Sequence, residues 1–265
     1  MGESMTPEDI AIRDYILKRT IPILYNVPDR GALPNGTGTL LRVEDRIFVI
    51  TACHVFDEGR NFAEFSYPIH PSNGGISTFG SYALMRPTDG LIDIAIAELT
   101  DAQTKKNLSA NWQFCTLSDV CTPPPEGSFI VAGYPESMIA VTDTRLISNA
   151  VMVKTERNCA PTNLELPARA EFELFLKFGR KATSQSGSEI DTPRMKGVSG
   201  ASVWVVVESD SITWSPASLL RVVGVLWSVD KSRFMRATDW RAVARALQNI
   251  FPDNAELKRI IAGDM

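Results

Sequence analysis

The chain has 265 residues, 44% hydrophobic and 22% charged, with 27 Lys and Arg against 31 Asp and Glu for a net charge of −4. Such a chain can bury a large core as an ordinary soluble globular protein. It carries no block of basic residues interleaved with aromatics and no apolar run of membrane-spanning length, so neither nucleic acid nor membrane is expected as a partner.

The start, Met1-Gly2-Glu3-Ser4-Met5-Thr6, lacks the basic and apolar regions of a signal peptide. Gly2 with Thr6 fits the myristoylation template, a short pattern with many chance matches, and is read as coincidence. Thr6 is a helix-capping residue, Pro7 suits the first helical position, and Glu8 and Asp9 fall in the first turn. Ile12, Tyr15, Ile16 and Arg19 follow at helical spacing, so an N-terminal helix is expected within residues 1–20.

Short apolar segments punctuated by Gly, Pro and Asn fill residues 21–121 and predict strands. Among them are Gly36-Thr37-Gly38-Thr39-Leu40-Leu41, the run Ile47 to Ile50 that leads through Thr51-Ala52-Cys53 to His54, and Leu91 to Leu99, in which Asp93 precedes Ile94-Ala95-Ile96. His70, in Pro68-Ile69-His70-Pro71 before Ser72-Asn73-Gly74-Gly75, reads as an exposed loop residue. Residues 122–128, opening Thr122-Pro123-Pro124-Pro125-Glu126-Gly127, read as a linker. Phe129 opens a second group of strands over 129–235. The polar stretch from Gly179 to Pro193 reads as a mobile lid or pocket rim, or else as a solvated surface loop. Gly197-Val198-Ser199-Gly200 follows, then a strand from Ala201 to Val207. In 236–265, Thr238 can cap a helix with Trp240, Val243, Ala244, Leu247 and Phe251 on one face and Pro252 at its end. Asp253 to Glu256 reads as a capping box for a last helix carrying Leu257, Ile260 and Ile261.

His54, Asp93 and Ser199 each stand at the edge of an apolar run, in the chain order of a nucleophilic hydrolase built on β-barrels. A serine hydroxyl is a poor nucleophile at neutral pH and needs a base within reach, which in turn needs a third group to hold its tautomer. Ser199, His54 and Asp93 can fill these roles, and with two histidines in the chain the choice of base is nearly forced. Gly197 lets the chain turn sharply enough for its amide and that of Ser199 to face an oxyanion. Ser202, three residues on, has no glycine two positions upstream and ranks well below Ser199 as a nucleophile.

These segments, together with Phe129 to Pro135 and Val222 to Ser228, resemble the trypsin-like (chymotrypsin-fold) serine proteases over roughly residues 30 to 232. The resemblance implies a mostly β protein of two packed antiparallel six-stranded barrels, with the N-terminal and C-terminal helices added. It implies a serine endopeptidase acting through an acyl-enzyme, and a substrate strand at Trp227, Ser228 and Val229 against which an extended protein or peptide would pair. Trp227 would wall the primary pocket or else sit in the core. Val198 stands where secreted members carry an acid that pairs with a newly cut N-terminus, so that switch is not expected and a protein activator is one alternative means of control. The position six before the nucleophile is Pro193, which does not support a preference for Arg or Lys; Asp191 and Arg194 flank it, and their roles stay open.

Cys53, Cys115, Cys121 and Cys159 do not reproduce the family's disulfide and contain no CxxC pair. Four reduced thiols suit an intracellular, cytoplasmic protein, and neither a metal nor a cofactor is implied. The alternatives to a protease are a protease-fold binding or scaffold module with little turnover, and an esterase on the same triad.

Overall fold

The structure is a computed structural model that describes residues 5–27, 29, 31–56, 65–71, 74–142, 145–161, 164, 171–208, 214–230 and 233–264. Residues 1–4, with the start of the chain read above, and Ser72 and Asn73 after His70 lie outside the described residues.

Helix α1 (Pro7–Leu17) begins as its sequence dictates: the Thr6 hydroxyl accepts the Asp9 amide, and Pro7 occupies the first helical turn, where no backbone donor is lost. Ile16 and Leu17 turn inward. Seven strands follow: β1 (Thr20–Val27), β2 (Gly31–Val43), β3 (Arg46–Thr51), β4 (Phe65–Pro68), β5 (Gly74–Thr78), β6 (Tyr82–Met85) and β7 (Ala95–Leu99). Helix α2 (Ala102–Asn111), capped by Asp101, precedes β8 (Ser128–Gly133), β9 (Ile139–Thr142), β10 (Arg145–Ser148), β11 (Val151–Glu156), β12 (Glu173–Lys177), β13 (Lys181–Ser184), β14 (Glu189–Asp191) and β15 (Ser202–Val206). The short helix α3 (Pro216–Leu219), β16 (Leu220–Asp230), β17 (Phe234–Asp239), α4 (Trp240–Gln248) and α5 (Ala255–Ala262) complete the chain.

The protein is mostly β, and its strands form two antiparallel sheets. Among the described residues the first runs β6-β7-β3-β2-β1-β4-β5-β10-β9 and the second β12-β17-β16-β15-β8-β11-β13-β14. Among the described residues neither ladder closes on itself, and they hold more strands than the six per unit expected from sequence. The β9–β10 hairpin follows the proline-rich segment in sequence yet adds to the first sheet, Leu146 pairing with Gly74 and Arg145 with Gly75.

Alternation along the strands supplies a core to each sheet. Ile21, Ile23, Leu40, Val49, Phe56, Phe65 and Tyr67 pack inside the first, and Phe129, Val131, Val151, Val203, Val223 and Met235 inside the second. A third cluster joins their outer faces to the helices: Phe48 and Ile50 meet Ile130, Trp204, Val222 and Val225 under Ile16, Trp240, Val243 and Leu247. Polar groups pin the same seam, where the fully buried hydroxyls of Thr20 and Ser202 lie 3.0 Å apart and Trp204 Nε1 donates to Ser202 Oγ at 2.7 Å. Ser202 is thus a structural residue.

Three local expectations are corrected. Gly179 to Pro193 is not simply a loop, because β13 and β14 pair there as a hairpin, Lys181 opposite Asp191 and Thr183 opposite Glu189. Helix α4 is capped by Asp239, not Thr238: the Asp239 side chain accepts the Arg241 amide, while Thr238 lies one residue further back in β17, paired on both sides with Val225 and Glu173; the helix ends at Gln248, short of Phe251. Helix α5 is capped by Asn254, whose side chain accepts the Leu257 amide, in place of a box starting at Asp253.

Candidate active site

Antiparallel neighbours bring the end of one strand beside the start of the next. Strand β3 pairs with β7, Thr51 opposite Ala95, so the residues just after β3 and just before β7 meet at one edge of the first sheet. His54 follows β3 on a single 3-10 turn, Cys53–Phe56, anchored by buried Val55 and Phe56 and by Asn35 Nδ2 donating to Val55 O at 2.7 Å. Asp93 precedes β7. Its carboxylate takes two bonds from His54, with Oδ2 at 2.6 Å from the ring Nδ1 and Oδ1 accepting the backbone N–H at 3.1 Å. Both side chains reach solvent, His54 more than Asp93 at 48% against 21% exposure. Opposite an ionised Asp93 the proton belongs on Nδ1, which makes Nε2 the basic nitrogen.

Ser199 lies on the turn that enters β15 in the second sheet. Gly197 and Gly200 adopt φ of +86° and +90°, conformations an L side chain rarely takes, and a Cβ on Gly200 would collide with Thr37 O and the Thr51 side chain. Val198 between them is fully buried. The backbone is tied down throughout: Glu136 N–H donates to Lys196 O at 2.8 Å, Gly200 N–H to Leu226 O at 2.6 Å, and Thr37 N–H to Ser199 O at 2.8 Å. Thr37 Oγ1 also donates to Gly197 O and accepts from Tyr134 N–H, both at 3.1 Å. Thus β2 of the first sheet holds the Ser199 turn of the second. The approach is close enough that a Cβ on Gly36 would stand 2.7 Å from a Val55 γ-carbon and 3.3 Å from Ser199 O.

Two clefts flank these residues, and Trp227 lines both. His54 and Asp93 line one, of about 450 Å³, together with Cys53, Arg86 and Asp89; Ser199 lines the other, of about 400 Å³. Trp227 reaches them because β16 bulges against β17: Leu226 pairs with Ala237 and Ser228 with Arg236, leaving Trp227 as the extra residue. Arg236 supports the indole with its guanidinium 4.3 Å from the ring centroid and is itself held by Glu173 at 2.6 Å, both side chains about 5% exposed. Ser228 and Val229 continue along the Ser199 cleft. Past Leu226, which still bonds to Gly200 and Ala201, β16 has no pairing on its β15 side among the described residues, so residues 227–230 present a strand edge beside Ser199.

The structure therefore brings His54 and Asp93 into direct contact and sets Ser199 across the shared Trp227 wall, with no Ser199–His54 hydrogen bond among the described residues. Such bonds are often long or misaligned before substrate arrives. His70 is exposed on its bend and lines neither cleft. Thr37 and the Glu173–Arg236 pair support the site without having been expected from the sequence. A charged residue inside the apolar run Phe234-Met235-Arg236-Ala237 was the available signal for the pair; Thr37 carried none.

All four cysteines are free thiols. Buried Cys115 is pushed well above the usual thiol range by desolvation, and half-buried Cys121 is raised for the same reason. Among the described residues no cluster of three or more His, Cys, Asp or Glu side chains could hold a metal ion, and no helix is long and apolar enough to cross a membrane.

No protein-family model matches the chain, and no curated protein matches it in sequence. Among solved structures it is similar to the active form of the Rv3671c protease from M. tuberculosis, at 15% identity and a TM-score of 0.47, with 94% of this chain and 88% of that one covered. It is also similar to the serine protease domain of the Sesbania mosaic virus polyprotein, at 13% identity and a TM-score of 0.45, covering 85% and 91%. A third structure concerns aromatic interactions in the coupled folding and binding of the disordered Sesbania mosaic virus VPg protein, at 14% identity and a TM-score of 0.46, covering 87% and 90%. At such scores the likeness assigns nothing to individual residues.

Proposed function

We propose that the protein is a serine endopeptidase of the trypsin-like kind, with Ser199 as nucleophile, His54 as general base and then acid, and Asp93 as the carboxylate that orients it. The observation that carries this reading is the 2.6 Å bond between His54 Nδ1 and Asp93 Oδ2, beside a cleft whose Trp227 wall is shared with Ser199. As Ser199 Oγ attacks the peptide carbonyl, His54 Nε2 takes its proton. The same proton passes to the leaving amine as the C–N bond breaks, and a water deprotonated by His54 then hydrolyses the acyl-enzyme. The Gly197 and Ser199 amides form the oxyanion hole; among the described residues neither donates to another protein group.

The substrate lies extended along Trp227, Ser228 and Val229, pairing with the β16 edge left open beyond β15. On this reading each sheet with its own core is one barrel of a pair, the chain passing from one to the other at the 122–128 linker except that the β9–β10 hairpin beyond it returns to the first sheet, and the free thiols suit a reducing cytoplasm.

A fluorophosphonate probe tests the assignment. Wild-type protein is labelled, and Ser199→Ala abolishes labelling, as expected when removal of one triad member costs about 10^4-fold or more. Labelling that persists in the folded Ser199→Ala protein overturns it.

A further inference from the structure

The cleft beside Ser199 is lined by Arg194, Met195, Lys196, Leu226, Trp227, Ser228 and Val229. Among the described residues its two charged side chains are both basic, and no carboxylate lines it. The acids that stand near in sequence are engaged elsewhere. Asp191 pairs with Lys181 at 2.8 Å across the β13–β14 hairpin, and Asp230 pairs with Arg233 at 2.7 Å. Lys196 is partly neutralised by Glu136 at 2.8 Å. Arg194 forms no ion pair among the described residues.

We infer that this cleft receives a glutamate or aspartate side chain of a peptide, the residue on the acyl side of the bond cut, with its carboxylate paired to the Arg194 guanidinium. The inference rests on the reading of Ser199 as nucleophile. A residue whose carbonyl meets Ser199 must place its side chain in the hollow next to that serine. This hollow is bounded on one side by the 226–229 strand that would carry the substrate and on the other by the 194–196 segment leading into the Gly197 turn. A guanidinium matches a carboxylate with two parallel N–H bonds, which an amide of the same size cannot answer equally. Lys196 adds a second, weaker positive charge at the rim, and basic peptide side chains meet two like charges there. The site also gives Arg194 a role that its position beside Pro193 left open. Because Arg194 is exposed, the preference is modest and falls with salt.

The test uses Ser199→Ala protein, so that nothing is turned over, and fluorescein-labelled tetrapeptides identical except for a final Glu, Gln or Lys. Their Kd values are read by fluorescence anisotropy at low and high NaCl. The Glu peptide is expected to bind about threefold to fivefold more tightly than the Gln peptide, with the gap shrinking in high salt. Adding Arg194→Ala closes the gap, and Arg194→Glu makes the Lys peptide the better ligand; thermal melts check that each variant is folded. Equal affinity for Glu and Gln, a preference that survives Arg194→Ala, or no binding of the Glu peptide at millimolar concentration overturns the inference. Fluorophosphonate labelling separates the two readings. Ser199-dependent labelling without an acidic preference sinks this inference alone, whereas an Arg194-dependent preference for Glu without such labelling sinks the endopeptidase reading and with it the acyl-side placement, leaving only a cleft that binds an acidic side chain.

Discussion

Replacing Asp93 with Asn tests the His54–Asp93 pair with the smallest change of shape. The carboxylate spends its two oxygens on one residue, Oδ2 on the ring Nδ1 and Oδ1 on the His54 backbone N–H. An amide can satisfy one of these and not both. If its oxygen stays on the backbone N–H, its NH2 faces Nδ1, which must then be unprotonated; the ring proton moves to Nε2, and the base can no longer accept the serine proton. If it flips, Nδ1–H is satisfied but the NH2 points at a backbone donor. Either outcome removes the functional tautomer or distorts the turn, and the expected loss in fluorophosphonate reactivity and peptidase rate is about 10^4-fold, near 5.5 kcal/mol of transition-state stabilisation. Stability should change little, by about 1 kcal/mol or less, because the pair is partly exposed to water. The assay is the labelling rate of Asp93→Asn against wild type, with a urea melt on the same samples. A folded Asp93→Asn protein that reacts within tenfold of wild type would refute the orienting role.

Thr37→Val keeps the shape of a fully buried side chain but removes the hydroxyl that joins Tyr134 N–H to Gly197 O. It strands a buried donor at a cost of about 1–3 kcal/mol, read as a lower urea midpoint, and it should slow Ser199 labelling; unchanged labelling would separate Thr37 from the nucleophile turn. Asp239 is held above the usual carboxylate range by desolvation, against the opposing pull of Arg241. A carboxyl raised in the folded state binds its proton more tightly there than in the unfolded chain, so its effect on stability becomes less favourable as pH rises from the ordinary carboxylate range through the raised value. The stability of wild type relative to Asp239→Asn should therefore increase as the pH is lowered through that window, and urea melts at several pH values showing the opposite slope would contradict the shift.

Much of the local structure was legible because it rests on short-range chemistry. Thr6, Pro7 and the acids after them start α1 by satisfying orphan amides within one turn, and the buried face of α4 follows from its spacing. Thr238 and Asp239 are both capping residue types, and nothing local separates them. The choice falls to Asp239 because it ends β17 and its carboxylate accepts the Arg241 amide at 2.7 Å, while Thr238 lies one residue earlier, paired on both sides with Val225 and Glu173. The hairpin at 181–191 was hidden by a polar composition that reads as loop; its strands are held by pairing with each other and, through β13, with β11. The β9–β10 hairpin, placed by sequence among the second group of strands, pairs with β5 through contacts no local pattern encodes.

The candidate site divides in the same way. By itself the sequence determined which residue types were available: a serine bracketed by glycines, a histidine after an apolar strand, an aspartate before another, and two charges, Asp191 and Arg194, of undecided use. Only the tertiary structure decided their company. Strand pairing between β3 and β7 put His54 on Asp93, and the docking of Thr37 on the Ser199 turn set the serine at the seam of the two sheets. A bulge turned Trp227 toward both clefts, while the hairpin drew Asp191 to Lys181 and left Arg194 beside the serine. Spacing along a chain limits what can meet, but the meeting itself depends on hydrogen-bonded register between distant segments, which is set by the burial of whole faces.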